Sequence, residues 1–364
     1  MHNISKTPTR KPIICLFIGY TTDFNVSAHC VGGSEISLIN LAEVFSKTHN
    51  VYIFGACLKE ATVNNVQYFN SNILNQFMND NIIDVMIVFR YIYYFLEFNI
   101  KAKKIYVWLQ DQLMQSAWDF KILPKNAKYL LENMIDKIDG IVVLTEWHRN
   151  GILDFYNFDP DKVVIIGNAI DVTRYNKSIQ RVKNRFIYTS DPSRGLEQLV
   201  THFYKIRQKL PDAELWIYRD ESSFTNSYQS LLTLIKMIPY IKFMGRVENN
   251  DLVEHQMMAD YWYYPTAFLE TYCVSALEAL MAGCICITSD IGALKDVISN
   301  RGVLVPEPVH TEEYFNKALE HIMTFANNEE LKERTRANGI LWAQNETWET
   351  RGKEWFKLFD YKEL

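Results

Sequence analysis

The sequence has no excess of positive charge: 38 Lys and Arg stand against 43 Asp and Glu, a net charge of −5 over 364 residues. A nucleic-acid binder would carry a basic surplus, so that class is set aside. Long apolar runs are missing too. The longest near the start, Ile13 to Ile18, is too short for a signal anchor or a membrane span, which leaves at most peripheral membrane contact. Cysteines number six, are dispersed, and form no CxxC pair. That excludes a disulfide framework and a zinc knuckle, and it predicts reduced core thiols in a reducing, cytoplasmic compartment. Cys284 and Cys286, at i and i+2, share one face of a strand. His29 next to Cys30 has no further ligand at useful spacing, so no metal site is expected there. Neither half contains GxGxxG with an acidic residue about 20 positions on, which excludes a dinucleotide oxidoreductase. No repeat of about 20–50 residues is evident.

What is present is an alternation of strands and helices in a chain long enough for two domains of about 150–200 residues each. A hydrophobic fraction of 48% and a charged fraction of 22% are those of a soluble globular protein, and the 14% of aromatic residues reads mainly as core. The run from Pro12 through Ile18 is apolar on both faces, the mark of a buried parallel strand. A loop follows over 21–31, then Gly32-Gly33 at a strand-to-helix turn, where backbone can approach a ligand. Further strands are predicted at 51–54, 84–89, 105–109, 140–144 and 163–166. After a polar linker over 173–184 a second set begins at 185–189 and recurs at 214–218, 241–244, 262–264, 284–288 and 302–305. The fold class is therefore α/β, with two Rossmann-like doubly wound domains over 1–172 and 173–346. Polar-faced helices finish the chain, the last over 347–359.

Three stretches carry chemistry. In residues 265–283, Glu270 and Glu278 lie eight positions apart. A helix opens between them, and its free amides around Tyr272, Cys273, Val274 and Ser275 offer a seat for phosphate. Eight helical steps return to within about 80° of the start, so the spacing predicts that both carboxylates reach one cavity. The run Thr189-Ser190-Asp191-Pro192-Ser193-Arg194-Gly195-Leu196 follows the first strand of the second domain, and Arg194 offers its fork of donors to an anion over the strand ends. Asn168-Ala169-Ile170-Asp171 closes the first domain, with Asp171 read as an Asx-type turn.

Together with Gly32-Gly33, these stretches resemble the GT-B fold retaining glycosyltransferases of family 4, also called glycosyl transferases group 1. The resemblance runs through nearly the whole chain in motif order, and its most specific piece is the Glu-x7-Glu signature. It implies an interdomain cleft, with the last helix (347–364) crossing back to complete the first domain. It implies Glu270 on the donor sugar, Glu278 on the ribose, and amides around Tyr272 to Ser275 on the diphosphate, with Arg194 as cationic clamp and Ser190 beside it. Arg246 and Val247 resemble the base-contacting loop. Gly32, Gly33 and Asn168 would line the acceptor side, where Tyr91, Tyr93 and Tyr94 are candidates to stack an acceptor sugar. The activity implied is a hexosyltransferase that uses a nucleoside-diphosphate sugar as co-substrate. It binds no cofactor or metal, since no Asp-x-Asp sits at a strand end. The acceptor is a glycan, a lipid-linked or a small-molecule hydroxyl, and the assembly a monomer or homodimer.

Three departures stand out. An Arg common before the Arg194 position is replaced by Thr189 and Ser190, which removes one charge from the diphosphate site. Cys273 stands where Gly is commonest. Where family members carry Trp-Leu-His-Asp, this chain reads Trp108-Leu109-Gln110-Asp111; Gln110 can hydrogen-bond a sugar hydroxyl but cannot carry a proton. The departures keep open a second reading, a non-catalytic GT-B-like protein that binds a nucleotide or sugar. His148, which opens a helix, is read as structural.

Overall fold

The computed structural model describes residues 10–19, 33–92, 94–112, 135–156 and 158–360. The expectations placed on Gly32, His29, Cys30, Tyr93 and the loop 21–31 lie outside them. The chain divides into two compact units. One holds residues 1–168 with 348–364, the other residues 169–347.

The first unit is built on a seven-stranded sheet of order β3-β2-β1-β4-β5-β6-β7, with parallel pairing. Its strands are β1 (Ile13–Phe17), β2 (Asn50–Val63), β3 (Val66–Asn70), β4 (Val85–Phe89), β5 (Lys104–Trp108), β6 (Gly140–Val143) and β7 (Val163–Ile165). Every residue of β1 and β4 is buried, as strands covered on both faces require. The sequence reading missed β3, a five-residue strand in which polar Gln67 and Asn70 hide its pairing with β2. It also stopped β2 at Phe54, although the strand runs on through exposed residues to Val63.

The terminal helix Trp348–Leu358 belongs to this unit. Its Trp355 is fully buried, 5.5 Å between ring centroids from Trp108 and 6.2 Å from Tyr106. Gly352 is where it crosses the helix Gly33–Ser46 closely: a Cβ there would lie 2.5 Å from Val44 Cγ1. Tyr106 Oη donates to Leu358 O at 3.0 Å and anchors the helix end.

The second unit has a six-stranded parallel sheet of order β10-β9-β8-β11-β12-β13. These strands are β8 (Arg185–Tyr188), β9 (Glu214–Tyr218), β10 (Ile241–Gly245), β11 (Tyr261–Tyr264), β12 (Ile285–Ser289) and β13 (Val303–Val305). The polar run read as a linker is part of this unit. Ile170 N donates to Glu346 O at 3.1 Å, and Tyr175 is buried with its hydroxyl 3.2 Å from Gln256. The division therefore falls at 168/169 rather than 172/173.

In both sheets the strand order reverses once, between β1 and β4 and between β8 and β11. Open α/β sheets bind ligands at the carboxyl ends of strands at such a switch point. In the second unit those ends carry Ser190–Arg194 and the Pro265–Cys273 segment.

Candidate functional site

In the second unit, β8 delivers its chain into a tight turn. Asp191 accepts from the Ser193 amide at 3.1 Å and the Ser193 hydroxyl at 2.7 Å, and Arg194 N donates to Asp191 O. The turn ends at Gly195 with φ +95°, the left-handed region. A Cβ on Gly195 would lie 2.1 Å from Pro265 O, so the β8 turn and the segment after β11 touch through this residue.

The segment after β11 is braced along its length. Thr266 N donates to Ser289 Oγ at 3.1 Å, Ser289 Oγ to Tyr314 Oη at 3.0 Å, and Ala293 N to Glu270 O at 2.9 Å. That bracing carries Glu270 to Arg194. Arg194 Nη1 donates to both carboxylate oxygens, at 2.9 and 3.0 Å, and Tyr264 Oη donates to Oε1 at 2.7 Å. The Glu270 side chain is 6% exposed and that of Arg194 37%. Of the Arg194 guanidinium nitrogens, only Nη1 is hydrogen-bonded among the described residues, so the remaining guanidinium donors are open to an anion. Its guanidinium also lies 4.3 Å from the centroid of the Phe268 ring. Burial opposes the Arg194 charge, but the Glu270 carboxylate, together with Tyr264 and Cys273, holds its pKa above the ordinary value.

Glu270 is not helical. The helix Val274–Met281 has Cys273 as its N-cap at φ 71°, ψ 74°, so the expectation of eight continuous helical steps from Glu270 to Glu278 is corrected. The left-handed cap also explains why glycine suits position 273 best. The Cys273 side chain does not cap the helix; its Sγ lies 3.4 Å from Ser275 Oγ, which in turn is 3.2 Å from Ser190 Oγ. Ala276 N and Leu277 N both return to Cys273 O, while Val274 and Ser275 fall in the first turn, where amides have no intrahelical acceptor. Ser190, Cys273, Val274 and Ser275 are thus gathered at one helix start.

Glu278 is partly buried and accepts from Gln256 Nε2 at 3.2 Å, with Gln256 Oε1 in turn accepting from Tyr175 Oη. Burial raises its pKa. Tyr272 points elsewhere: its hydroxyl donates to Glu346 at 3.2 Å, leaving only its backbone to the site. Arg246 is exposed and Val247 half-buried, just after Gly245 at φ +69°.

Arg219 escaped the sequence reading. It follows β9, beside β8, and its Nη2 donates to Asp191 Oδ2 at 3.0 Å. It therefore brings a second cation to the turn where Thr189 and Ser190 offer none. A strand running out at Tyr218 into Arg219-Asp220 was the available signal.

In the first unit, Gln110 and Asn168 exchange amide hydrogen bonds, Asn168 Nδ2 to Gln110 Oε1 at 3.1 Å and Gln110 Nε2 to Asn168 Oδ1 at 3.4 Å. Arg351 Nε holds the Asn168 carbonyl at 3.2 Å. Asp111 takes two bonds from Arg90, at 2.8 and 3.0 Å, and Glu35 lies 3.8 Å from Arg90 Nη1. Gly33 opens its helix, and among the described residues nothing lies within 4 Å of where a Cβ would sit on it. Tyr94 is core, 1% exposed and bonded to Ile18 O, so stacking an acceptor sugar is corrected for it. His148 is fully buried and accepts from Leu144 N at 3.3 Å; burial lowers its pKa to about 4. Asp171 makes the expected Asx turn, accepting from the Thr173 amide at 3.0 Å. Among the described residues no three His, Cys, Asp or Glu side chains converge as metal ligands, and no helix is long and apolar enough to cross a membrane.

Residues 184–324 match the family model described as Glycosyl transferases group 1. A phosphatidyl-myo-inositol mannosyltransferase of Mycobacterium tuberculosis is 21% identical over 240 residues, covering 64% of this chain and 62% of that one. The chain thus spans about three fifths of the length of this curated relative. Among solved structures, a glycosyltransferase from Rickettsia africae ESF-5 superposes with a TM-score of 0.73 at 14% identity, over 96% of this chain and 98% of that one. Anabaena Alr3699/HepE, solved in complex with UDP, gives 0.68 at 12% identity, over 95% and 98%. The fold is GT-B, the fold of glycosyltransferases. The match to the glycosyl transferases group 1 model falls within the second unit.

Proposed function

We propose that this chain is a metal-independent, retaining family 4 glycosyltransferase that moves a hexosyl group from a nucleoside-diphosphate sugar to a hydroxyl acceptor. The observation that carries the reading is the Arg194–Glu270–Tyr264 constellation at the switch point, beside a helix start lined by Ser190 and Ser275. It supplies a carboxylate for sugar hydroxyls, cations for the diphosphate, and free amides aimed where the leaving group develops charge.

In the proposed step, the bond from the sugar C1 to the phosphate oxygen breaks and the acceptor oxygen bonds C1 from the same face. The acceptor proton passes to the departing phosphate oxygen, so no side chain needs to carry it, and Gln110 need not act as a base. Arg194, Arg219 and the amides of Val274 and Ser275 stabilise the growing diphosphate charge. Glu278 takes the ribose hydroxyls, and Arg246 and Val247 the base. The first unit provides acceptor-side groups, among them Gly32, Gly33 and Asn168. The acceptor is a glycan, a lipid-linked or a small-molecule hydroxyl, and the reaction runs in the cytoplasm on a monomer or homodimer. UDP in the HepE structure makes it the first nucleotide to try.

A thermal-shift screen against UDP, GDP, ADP and TDP tests the donor assignment. A ligand at 100 times its Kd adds about 2.7 kcal/mol to stability. The second reading, binding without catalysis, has the Gln110–Asn168 amide pair in its favour, because that pair already satisfies Gln110. A donor-hydrolysis assay separates the two.

A further inference from the structure

At the opposite end of the second sheet, where β8, β11 and β12 begin, lies a cavity of about 410 Å³. That is within the range of small-molecule sites. Four cations line it, Arg181, Lys183, Lys332 and Arg336, against three carboxylates, Asp260, Glu329 and Glu333.

The carboxylates are unequal. Asp260 is 3% exposed at its side chain and is held by Asn184 N at 3.0 Å, Lys332 Nζ at 3.1 Å and Arg336 Nη2 at 2.7 Å. Glu329 pairs with Lys332 at 3.6 Å and Glu333 with Arg336, but the two carboxylates are 68% and 59% exposed, so water screens much of their charge. Lys332 and Arg336 are 2% and 8% exposed. The one buried carboxylate is therefore shared by two buried cations, whose other partners are the two screened glutamates. Arg181 adds a third cation with no carboxylate of its own: its donors go to the carbonyls of Ala259 and, at 2.7 Å, Ala282. Burial and the nearby Arg336 charge depress its pKa, although Cys284, Asp260 and Glu333 act the other way. Lys183 is exposed and meets no carboxylate among the described residues.

A second observation points the same way. The Tyr261 hydroxyl is buried without a hydrogen-bond partner among the described residues, in the field of Asp260, Glu329 and Arg336. Lys332 Nζ sits 5.3 Å from the centroid of its ring. The lining thus holds four cations against three carboxylates, and the idle Tyr261 hydroxyl lies beside it rather than in its wall. Helix capping accounts for part of it, since Arg181 and Arg336 bond carbonyls at the end of the helix Val274–Met281. It accounts for neither Lys183 nor Tyr261.

We infer that this cavity is an anion site that takes a phosphoryl group, either free phosphate or the phosphate of a small phosphomonoester. It lies across the sheet from the candidate donor site, by the length of β8, about 13 Å at the usual rise of a parallel strand. The inference does not depend on the proposed activity.

Calorimetric titration of the full chain with inorganic phosphate and with glucose 6-phosphate, at constant ionic strength, tests it, with chloride as the control. Saturable binding is expected in the wild type, unchanged by Arg194→Ala and weakened at least tenfold by Lys183→Glu, which alters an exposed side chain. Tighter binding of glucose 6-phosphate assigns the site to a phosphomonoester, and equal affinity to free phosphate. Heat no greater than that of chloride overturns the inference, as does binding lost with Arg194→Ala but kept with Lys183→Glu.

Discussion

Arg194 and Glu270 are bound through a single guanidinium nitrogen that donates to both carboxylate oxygens, at 2.9 and 3.0 Å. The pair joins the turn after β8 to the segment after β11, so the cation proposed for phosphate and the carboxylate proposed for sugar position each other. Tyr264 fixes the carboxylate from beneath.

Replacing Glu270 with Ala or Gln removes the charge that holds Arg194, and Ala also removes the acceptor proposed for sugar hydroxyls. Transfer should fall by about 10²-fold or more, the usual cost of losing a preorganised electrostatic group, while the circular dichroism spectrum stays native. Wild-type turnover in Glu270→Gln would contradict the assignment.

Arg219 should behave as the cation that Thr189 and Ser190 do not provide. Arg219→Ala is expected to weaken binding of the nucleoside diphosphate by roughly tenfold, about 1.4 kcal/mol, and to leave affinity for the free nucleoside unchanged. Calorimetry with both ligands checks this. Equal loss for both would place Arg219 on the base or ribose instead.

Gly195→Ala should be costly out of proportion to its size. The new Cβ would press on Pro265 O from a backbone at φ +95°, and positive φ alone costs a non-glycine residue about 1–3 kcal/mol. A loss of about 2–4 kcal/mol in urea unfolding is expected, with donor affinity falling in step because Pro265 leads into Glu270.

His148 gives the fold a pH dependence. Its folded pKa, about 4, lies below the ordinary 6.5 because burial disfavours the charged ring. Between those values the unfolded chain binds the extra proton, so the stability contribution is complete above about pH 6.5 and declines as pH falls toward 4. From pH 6.5 to 5 the loss should be roughly 2 kcal/mol at about 1.4 kcal/mol per unit. Replacing His148 with Gln should flatten that part of the curve; an unchanged slope would show that other groups govern it.

The sequence made the sheets readable because buried parallel strands are continuous apolar runs, as in β1, β4 and β12. It hid β3, whose pairing is set by tertiary contact with β2. At the site, Glu270, Glu278 and Arg194 were visible through motif and spacing, but the helical argument linking the two glutamates was not sound. Cys273 breaks the helix there in a left-handed conformation that no propensity for Cys foretells. Tyr264, Gln256 and Arg219 were missed because each reaches the site from another strand or helix, and each reads locally as ordinary core or surface. The two amides of Gln110 and Asn168 are 58 residues apart in sequence, a distance over which a single sequence carries no pairing signal.

The most direct test of the account is proton NMR of the anomeric signal during reaction of the purified chain with a nucleoside-diphosphate hexose selected by thermal shift, with a panel of hydroxyl acceptors. The account predicts release of nucleoside diphosphate with a product of the donor's own anomeric configuration, undiminished by EDTA and lost in Glu270→Ala. An inverted product, or nucleotide binding with no turnover across the panel, would contradict it.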